Sequence, residues 1–274
     1  MPVQVTRRLL DDLYKKYNRR VFVSPDPLQF LYDYDNIRDR EIVGLIASAL
    51  AYGRVNQILK SIKLVLERLS PSPSEFLKVN SLRAMKKTFA DFKHRFTTGE
   101  QLSLLLFSVK NIISKHGSLY ECFKSSVNSN DRTIVPALAA FVYTLRKEAR
   151  GLESHILPSP GNGSACKRLN LFLRWMIRKD QVDPGGWDRV HPSKLIIPLD
   201  THMYKIGYTL EFTRRKQADL KGALEITERF RRFSPEDPVK YDFALTRFGI
   251  RDDFDLQTML TAMHGIKAEK PKNN

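Results

Sequence analysis

Residues 160–206 read PGNGSACKRLNLFLRWMIRKDQVDPGGWDRVHPSKLIIPLDTHMYKI. A Pro-Gly turn comes first. Leu169, Phe172, Leu173, Met176 and Ile177 then recur at helical spacing, which predicts a helix over residues 165–179. Ser164 precedes it as a natural N-cap. Lys167, Asn170, Arg174 and Arg178 are spaced three, four and four apart, so they share the opposite, polar face. Lys167 falls in the first turn. There the positive end of the helix dipole disfavours an ammonium, which suits a nucleophilic amine. The backbone N–H groups after PGNG offer a phosphate site. A Pro/Gly-rich crossing leads to the apolar run LIIPL, which delivers Asp200 as N-cap of a second helix opening at Thr201-His202. Schiff-base chemistry at a sugar carbon needs an amine that attacks. It also needs a carboxylate that stabilises cationic character and moves a proton. Each residue also has an ordinary reading: Lys167 as a solvated surface lysine, Asp200 as a helix cap only. One histidine, His202, beside an aspartate does not make a metal site.

Outward from this stretch the pattern is helical throughout. Leu9, Leu10, Leu13 and Tyr17 predict an amphipathic helix over 5–17. Residues 28–34 form an aromatic turn or short helix. An apolar helix follows over 41–52, with Asp39 as its N-cap, broken by Gly53-Arg54. Helices are predicted over 55–69, from Glu75 onward, and over 102–115, the last with Thr98 as cap and Gln101 in the capping-box position. Residues 92–101 read as a loop and 122–132 as a polar, loose segment. Further helices are predicted over 133–149, over 217–233, and over 239–248, the last started by SPEDP and ended by Gly249. No strand-length alternation or internal repeat occurs, so the fold class is all-α. Two helical lobes are expected, residues 38–164 and residues 1–37 with 165–266, with the opening stretch at their boundary. A disordered tail is expected at 267–274.

The chain has 274 residues, 42% of them hydrophobic, enough for a sizeable core. Its formal net charge is +16 with basic residues spread along its length, which favours polyanionic partners, nucleic acid before membrane. Two cysteines, Cys122 and Cys166, exclude a disulfide scaffold and an all-cysteine iron–sulfur site within the chain, and fit a reducing compartment. No run approaches the ~18 apolar residues of a membrane span. The N-terminal residues lack a signal-peptide core, so a cytoplasmic, nucleoid-associated location is expected.

IPLDTHMYKI resembles the VDTHxxRV segment of the helix-hairpin-helix DNA glycosylases, the endonuclease III and 8-oxoguanine glycosylase superfamily. The catalytic aspartate of that segment falls on Asp200. PGNG resembles the family's hairpin PGxG. EIVGLIASALAYGRVNQI resembles its early helix and the loop near DNA, and SPEDPVKYDFALTRFGI its late helix. CKRLNLFLRWM followed by IIPLD is similar to the archaeal 8-oxoguanine glycosylase type, in which a lysine opens an apolar helix and the aspartate follows a Pro-rich insert. The sequence as a whole also resembles an uncharacterised bacterial family, a domain of unknown function. The resemblance covers roughly residues 38–250. Two departures stand out: Lys167 lies four residues after Gly163, later than the family lysine, and Asn162 replaces the hydrophobic residue between the hairpin glycines.

The resemblance implies a two-lobed, all-α helix-hairpin-helix fold. It implies a base-excision-repair DNA glycosylase with abasic-site lyase activity, removing a damaged base such as an oxidised purine, with Lys167 and Asp200 catalytic. The partner would be double-stranded DNA carrying a damaged base or abasic site. The protein would act as a monomer with no cofactor, since the four-cysteine cluster of the endonuclease III branch is missing. A glycosylase flips its base into a pocket. Tyr52, Arg54 and Asn56, in the break after the early helix, are candidates for filling the vacated stack. Gly161, Gly163, Ser164, Arg168, Arg174 and Arg178 are candidate DNA contacts. Trp175, Trp187 and His202 are candidates for the base pocket. Two other readings stand beside this one: a non-catalytic helical DNA-binding protein on the same fold, and a basic scaffold for a protein partner.

Overall fold

A computed structural model describes residues 5–153 and 155–250, with only the backbone described for 248–250. The described residues are all-α apart from one small hairpin. The element around which the others gather is α2 (Ile37–Ala49), buried on every side from Glu41 to Ala49. Its run of small and branched residues permits close approach. At Gly44 an added Cβ would lie 3.3 Å from the Phe172 ring of α9 (Lys167–Ile177), so the missing side chain is what lets the two helices meet. A 3-10 helix, Pro27–Asp33, covers another side of α2.

The N-terminal helix α1 (Arg7–Tyr17) buries Leu9, Leu10, Leu13 and Tyr17 and lies against α12 (Asp242–Ile250). Lys240 and Tyr241, just ahead of α12, both reach Asp11 of α1, at 2.7 and 2.9 Å. Residues 50–150 carry α3 (Val55–Arg68), α4 (Pro73–Val79), α5 (Leu82–Thr88), α6 (Gly99–His116), α7 (Leu119–Lys124) and α8 (Val135–Glu148). The long α6 is capped by Thr98 Oγ1, which accepts from the Gln101 amide, and ends at Gly117 in the left-handed region. After α9 the chain crosses to α10 (Thr201–Thr209) and α11 (Leu220–Phe233). Buried side chains from Leu9 to Leu245 form one continuous core.

Several local expectations are corrected. The N-cap of α2 is Asn36; Asp39 instead accepts hydrogen bonds from Ser72 Oγ and the Ser74 amide, tying α2 to the start of α4. Residues 93–98 are a short antiparallel hairpin with Lys93 opposite Thr98 and His94 opposite Thr97. Gln101 does not close a capping box, because its side chain bridges to Gly151 and Glu153. Cys122 and Phe123 are not in a loose segment: they sit buried on α7. SPEDP forms turns, and the last helix opens only at Asp242. Gly249 is not a cap, since that helix runs on to Ile250. The expected tail at 267–274 lies outside the described residues. Among the described residues no helix is long and apolar enough to cross a membrane.

Candidate active site

The first turn of α9 faces a cleft of about 280 Å³. Its walls come from distant parts of the chain: Pro25 and Pro27, Gly53 and Val55, Lys167 and Trp175, Asp200 and His202, and Asp242 and Arg247. Local sequence explains how Lys167 reaches it. Cys166 adopts φ 47°, a left-handed conformation uncommon for a residue with a side chain, and turns the chain sharply so that Lys167 is the first helical residue. The expected start at residue 165 with Ser164 as cap is therefore corrected: Ser164 Oγ accepts from the Cys166 amide and does not cap the helix.

Asp200 is the N-cap of α10, its Oδ1 accepting from the Met203 amide at 2.8 Å. Its other oxygen, Oδ2, lies 3.7 Å from Lys167 Nζ. The lysine side chain is 33% exposed and the aspartate 16%, so the pair is open enough for a ligand yet held at the cleft wall. The cap thus fixes one carboxylate oxygen and leaves the second pointed at the amine. His202, two residues on, is half-buried at the same wall.

Arg174 and Arg178 do not form an exposed basic stripe, and their expected contact with DNA phosphates is corrected. Both are almost wholly buried. Arg174 donates to Asp183 at 3.2 Å and to Asp242, while Arg178 pairs with Asp183, with Asp237 at 2.9 Å and with Asp180 at 2.8 Å. Tyr14 of α1 donates to Asp180 at 3.0 Å. The guanidiniums of Arg174 on α9 and of Arg178, just past its end, are thus anchored by carboxylates from the crossing and from residues 237–242. Burial pushes the Asp242 carboxyl up to about 6, although Arg174 pulls the other way. Asp242 and Arg174 both reach the floor of the cleft.

Arg168 is half-buried and not free for phosphate. It donates to the carbonyls of Ala49 and His155 and lies 4.9 Å from the Tyr52 ring. Tyr52 is half-buried too, its hydroxyl bonded to Thr97 Oγ1 at 2.7 Å and to the His94 carbonyl at 2.8 Å, so it cannot swing out to fill a base stack. Arg54 and Asn56 are exposed. Trp187 is removed from the candidate base pocket. It is fully buried away from the cleft, donating to Glu41 at 3.2 Å and stacked against Tyr120 and Phe123. Trp175 is buried as well, but it does form part of the cleft wall. Gly161 and Gly163 are exposed on a 3-10 turn, Pro160–Asn162. Their amides bond within the turn, Gly161 to Ser159 Oγ and Gly163 to the Pro160 carbonyl, so neither is free as expected.

Sequence reasoning missed Asp26, Asp242 and Arg247, which complete the cleft; Arg247 pairs with Asp26 at 2.9 Å. One signal was available: Asp242 and Thr246 sit four apart on one helix, and both reach the cleft. Nothing in the spacing links them to Lys167. Among the described residues no cluster of His, Cys, Asp and Glu could hold a metal ion.

The described fold and this cleft define a mostly helical protein with a lysine–carboxylate pair at the head of an anchored helix. The chain belongs to the DUF2400 family, proteins of unknown function, whose family model matches residues 26–251. No curated protein and no solved structure matches the chain.

Proposed function

We propose that this protein is a DNA glycosylase with abasic-site lyase activity, acting through a Schiff base on Lys167. The observation that carries this reading is the 3.7 Å approach of Lys167 Nζ to Asp200 Oδ2 inside one cleft. The net charge of +16 adds a reason to expect a polyanionic substrate. Asp200 takes the ammonium proton, leaving a lone pair on Nζ. The amine attacks C1′ of the damaged nucleotide, the C1′–N bond breaks, and the base leaves with that electron pair and picks up a proton. Asp200, having given its first proton to the leaving base, takes one from the attached nitrogen. The nitrogen lone pair then expels O4′ as the C1′–O4′ bond breaks, and O4′ takes that proton. The Asp200 carboxylate stabilises the iminium that results. Loss of a C2′ proton expels the 3′-phosphate by β-elimination and cuts the strand.

Borohydride trapping tests this. Sodium borohydride reduces the iminium to a stable amine, cross-linking protein to DNA. Wild type is expected to trap on a duplex carrying an abasic aldehyde or an oxidised purine, and Lys167→Ala to lose the cross-link while still binding duplex. Equal trapping by Lys167→Ala would overturn the nucleophile assignment. The same duplex binding with no trapping by wild type on any lesion would leave the non-catalytic DNA-binding reading in its place.

A further inference from the structure

The hairpin of residues 93–98 packs through Arg95 against Gly53, a residue of the cleft wall. Its tip is the two-residue turn Arg95-Phe96. An added Cβ at Gly53 would be 2.8 Å from Arg95 Cδ. Hydrogen bonds fix the hairpin beneath its tip: Tyr52 with His94 and Thr97, and the His94 ring with Ser61 Oγ at 2.9 Å and the Tyr52 carbonyl at 3.0 Å.

Both tip residues break the rules of stable hairpins. Arg95 takes φ 54°, a conformation for which such turns favour glycine or asparagine. Phe96 is 70% exposed, with the Arg95 guanidinium 5.6 Å from its ring. Broken local rules are expected where a residue serves a partner. The surroundings indicate which partner: Arg95 stands beside the ring, Lys93 is exposed on the same hairpin, and Arg54 is exposed next in sequence to Gly53, against which Arg95 packs. An aromatic face stacks on any base, and basic side chains meet flanking phosphates.

We propose that Phe96 is a wedge that enters the base stack of a duplex beside the nucleotide drawn into the cleft, with Arg95, Arg54 and Lys93 on the neighbouring phosphates. This assigns to the hairpin tip the stack-filling role that Tyr52 cannot perform. The inference rests on the glycosylase reading for which nucleotide leaves the stack, but the wedge itself requires only an opened duplex.

The test uses the full chain and a duplex with a central tetrahydrofuran abasic analogue flanked by 2-aminopurine. Wild type is expected to brighten the 2-aminopurine on binding. Phe96→Ala should bind ~10-fold more weakly, the loss of one stacking contact, and leave the fluorescence dark, with an unchanged Tm. Phe96→Trp should bind like wild type and show duplex quenching of tryptophan emission beyond that of wild type, in which Trp187 is buried away from the cleft and Trp175 lines it. If Phe96→Ala binds and brightens the probe as wild type does, the wedge is refuted. Borohydride trapping on single-stranded abasic DNA, which has no stack to open, separates this from the chemistry. Trapping there by both proteins, with the duplex defect confined to Phe96→Ala, supports the wedge. A Phe96-dependent duplex response without any trapping also supports it while removing the lyase reading.

Discussion

Replacing Glu41 with Gln should change how stability depends on pH. Glu41 is 1% exposed on α2 and reaches across to the start of α7. Its carboxylate accepts from the amides of Leu119 and Tyr120, at 3.0 and 3.1 Å, and from Trp187 Nε1 at 3.2 Å. Burial raises its pKa from the ordinary 4.5 to about 7, outweighing those three donors and Arg38, which favour the charged form. A carboxyl raised in the folded state holds more protons folded than unfolded between those two values. Stability therefore falls as pH rises from ~4.5 to ~7 and levels off above that. At ~1.4 kcal/mol per pH unit, that span corresponds to about 3 kcal/mol at most. Urea unfolding followed by circular dichroism at pH 5 and pH 8 measures it. Relative to Glu41→Gln, which cannot titrate, wild type should lose about 2–3 kcal/mol of stability over that interval. The difference between the two proteins isolates Glu41 from Asp242, whose raised carboxyl adds a slope of the same sign in both. Parallel stability curves, or a wild type that gains on alkalinisation, would mean that the N–H donors outweigh burial and would refute this account.

Arg174→Met should destabilise the fold by ~3–5 kcal/mol in urea titration, because it leaves Asp242 buried without its cation and Asp183 with Arg178 alone. Asp200→Asn should leave Tm nearly unchanged, since asparagine also caps helices, while base release in a single-turnover assay slows by ~10²-fold or more. Gly99→Ala should lower stability by ~1–3 kcal/mol in the same urea assay, because its Cβ would fall 1.7 Å from the Phe89 carbonyl oxygen, which is backbone and cannot step aside.

The all-α class was legible from periodicity, since α1, α3 and α11 each bury one spaced set of residues, most of them apolar. What was not legible is where a polar face points. Lys167, Arg174 and Arg178 share a helix face by spacing alone, yet only Lys167 stands open in the cleft: Arg174 reaches its floor while buried, and Arg178 does not line it. The other two meet carboxylates contributed by residues 180–183 and 237–242, and no local pattern reports such distant partners. The same blindness applied to Trp187, whose burial depends on Glu41 and Tyr120 reaching it from other helices. Asp200 was readable as a cap because capping is a local contact. Phe96 was not readable as a tip residue, because strands of two residues each leave no periodic pattern, and the bonds tying them to Tyr52 and Ser61 are long-range.

The misplaced arginines clarify the design of α9. A catalytic lysine needs its helix held within a fraction of an ångström, and supporting residues that are themselves locked in place provide this. Here the helix carries the proposed nucleophile in its first turn, Arg174 in its last, and Arg178 just past its end. Arg174 and Arg178 fix the axis against the crossing and the start of α12, Phe172 fixes the rotation against Gly44, and Lys167 is left at the open end. Asp242 joins the two roles, since it binds Arg174 below and forms the cleft floor above. Loosening the anchor should therefore weaken catalysis without touching the nucleophile. That makes the buried ion pairs part of the proposed activity as well as of the fold.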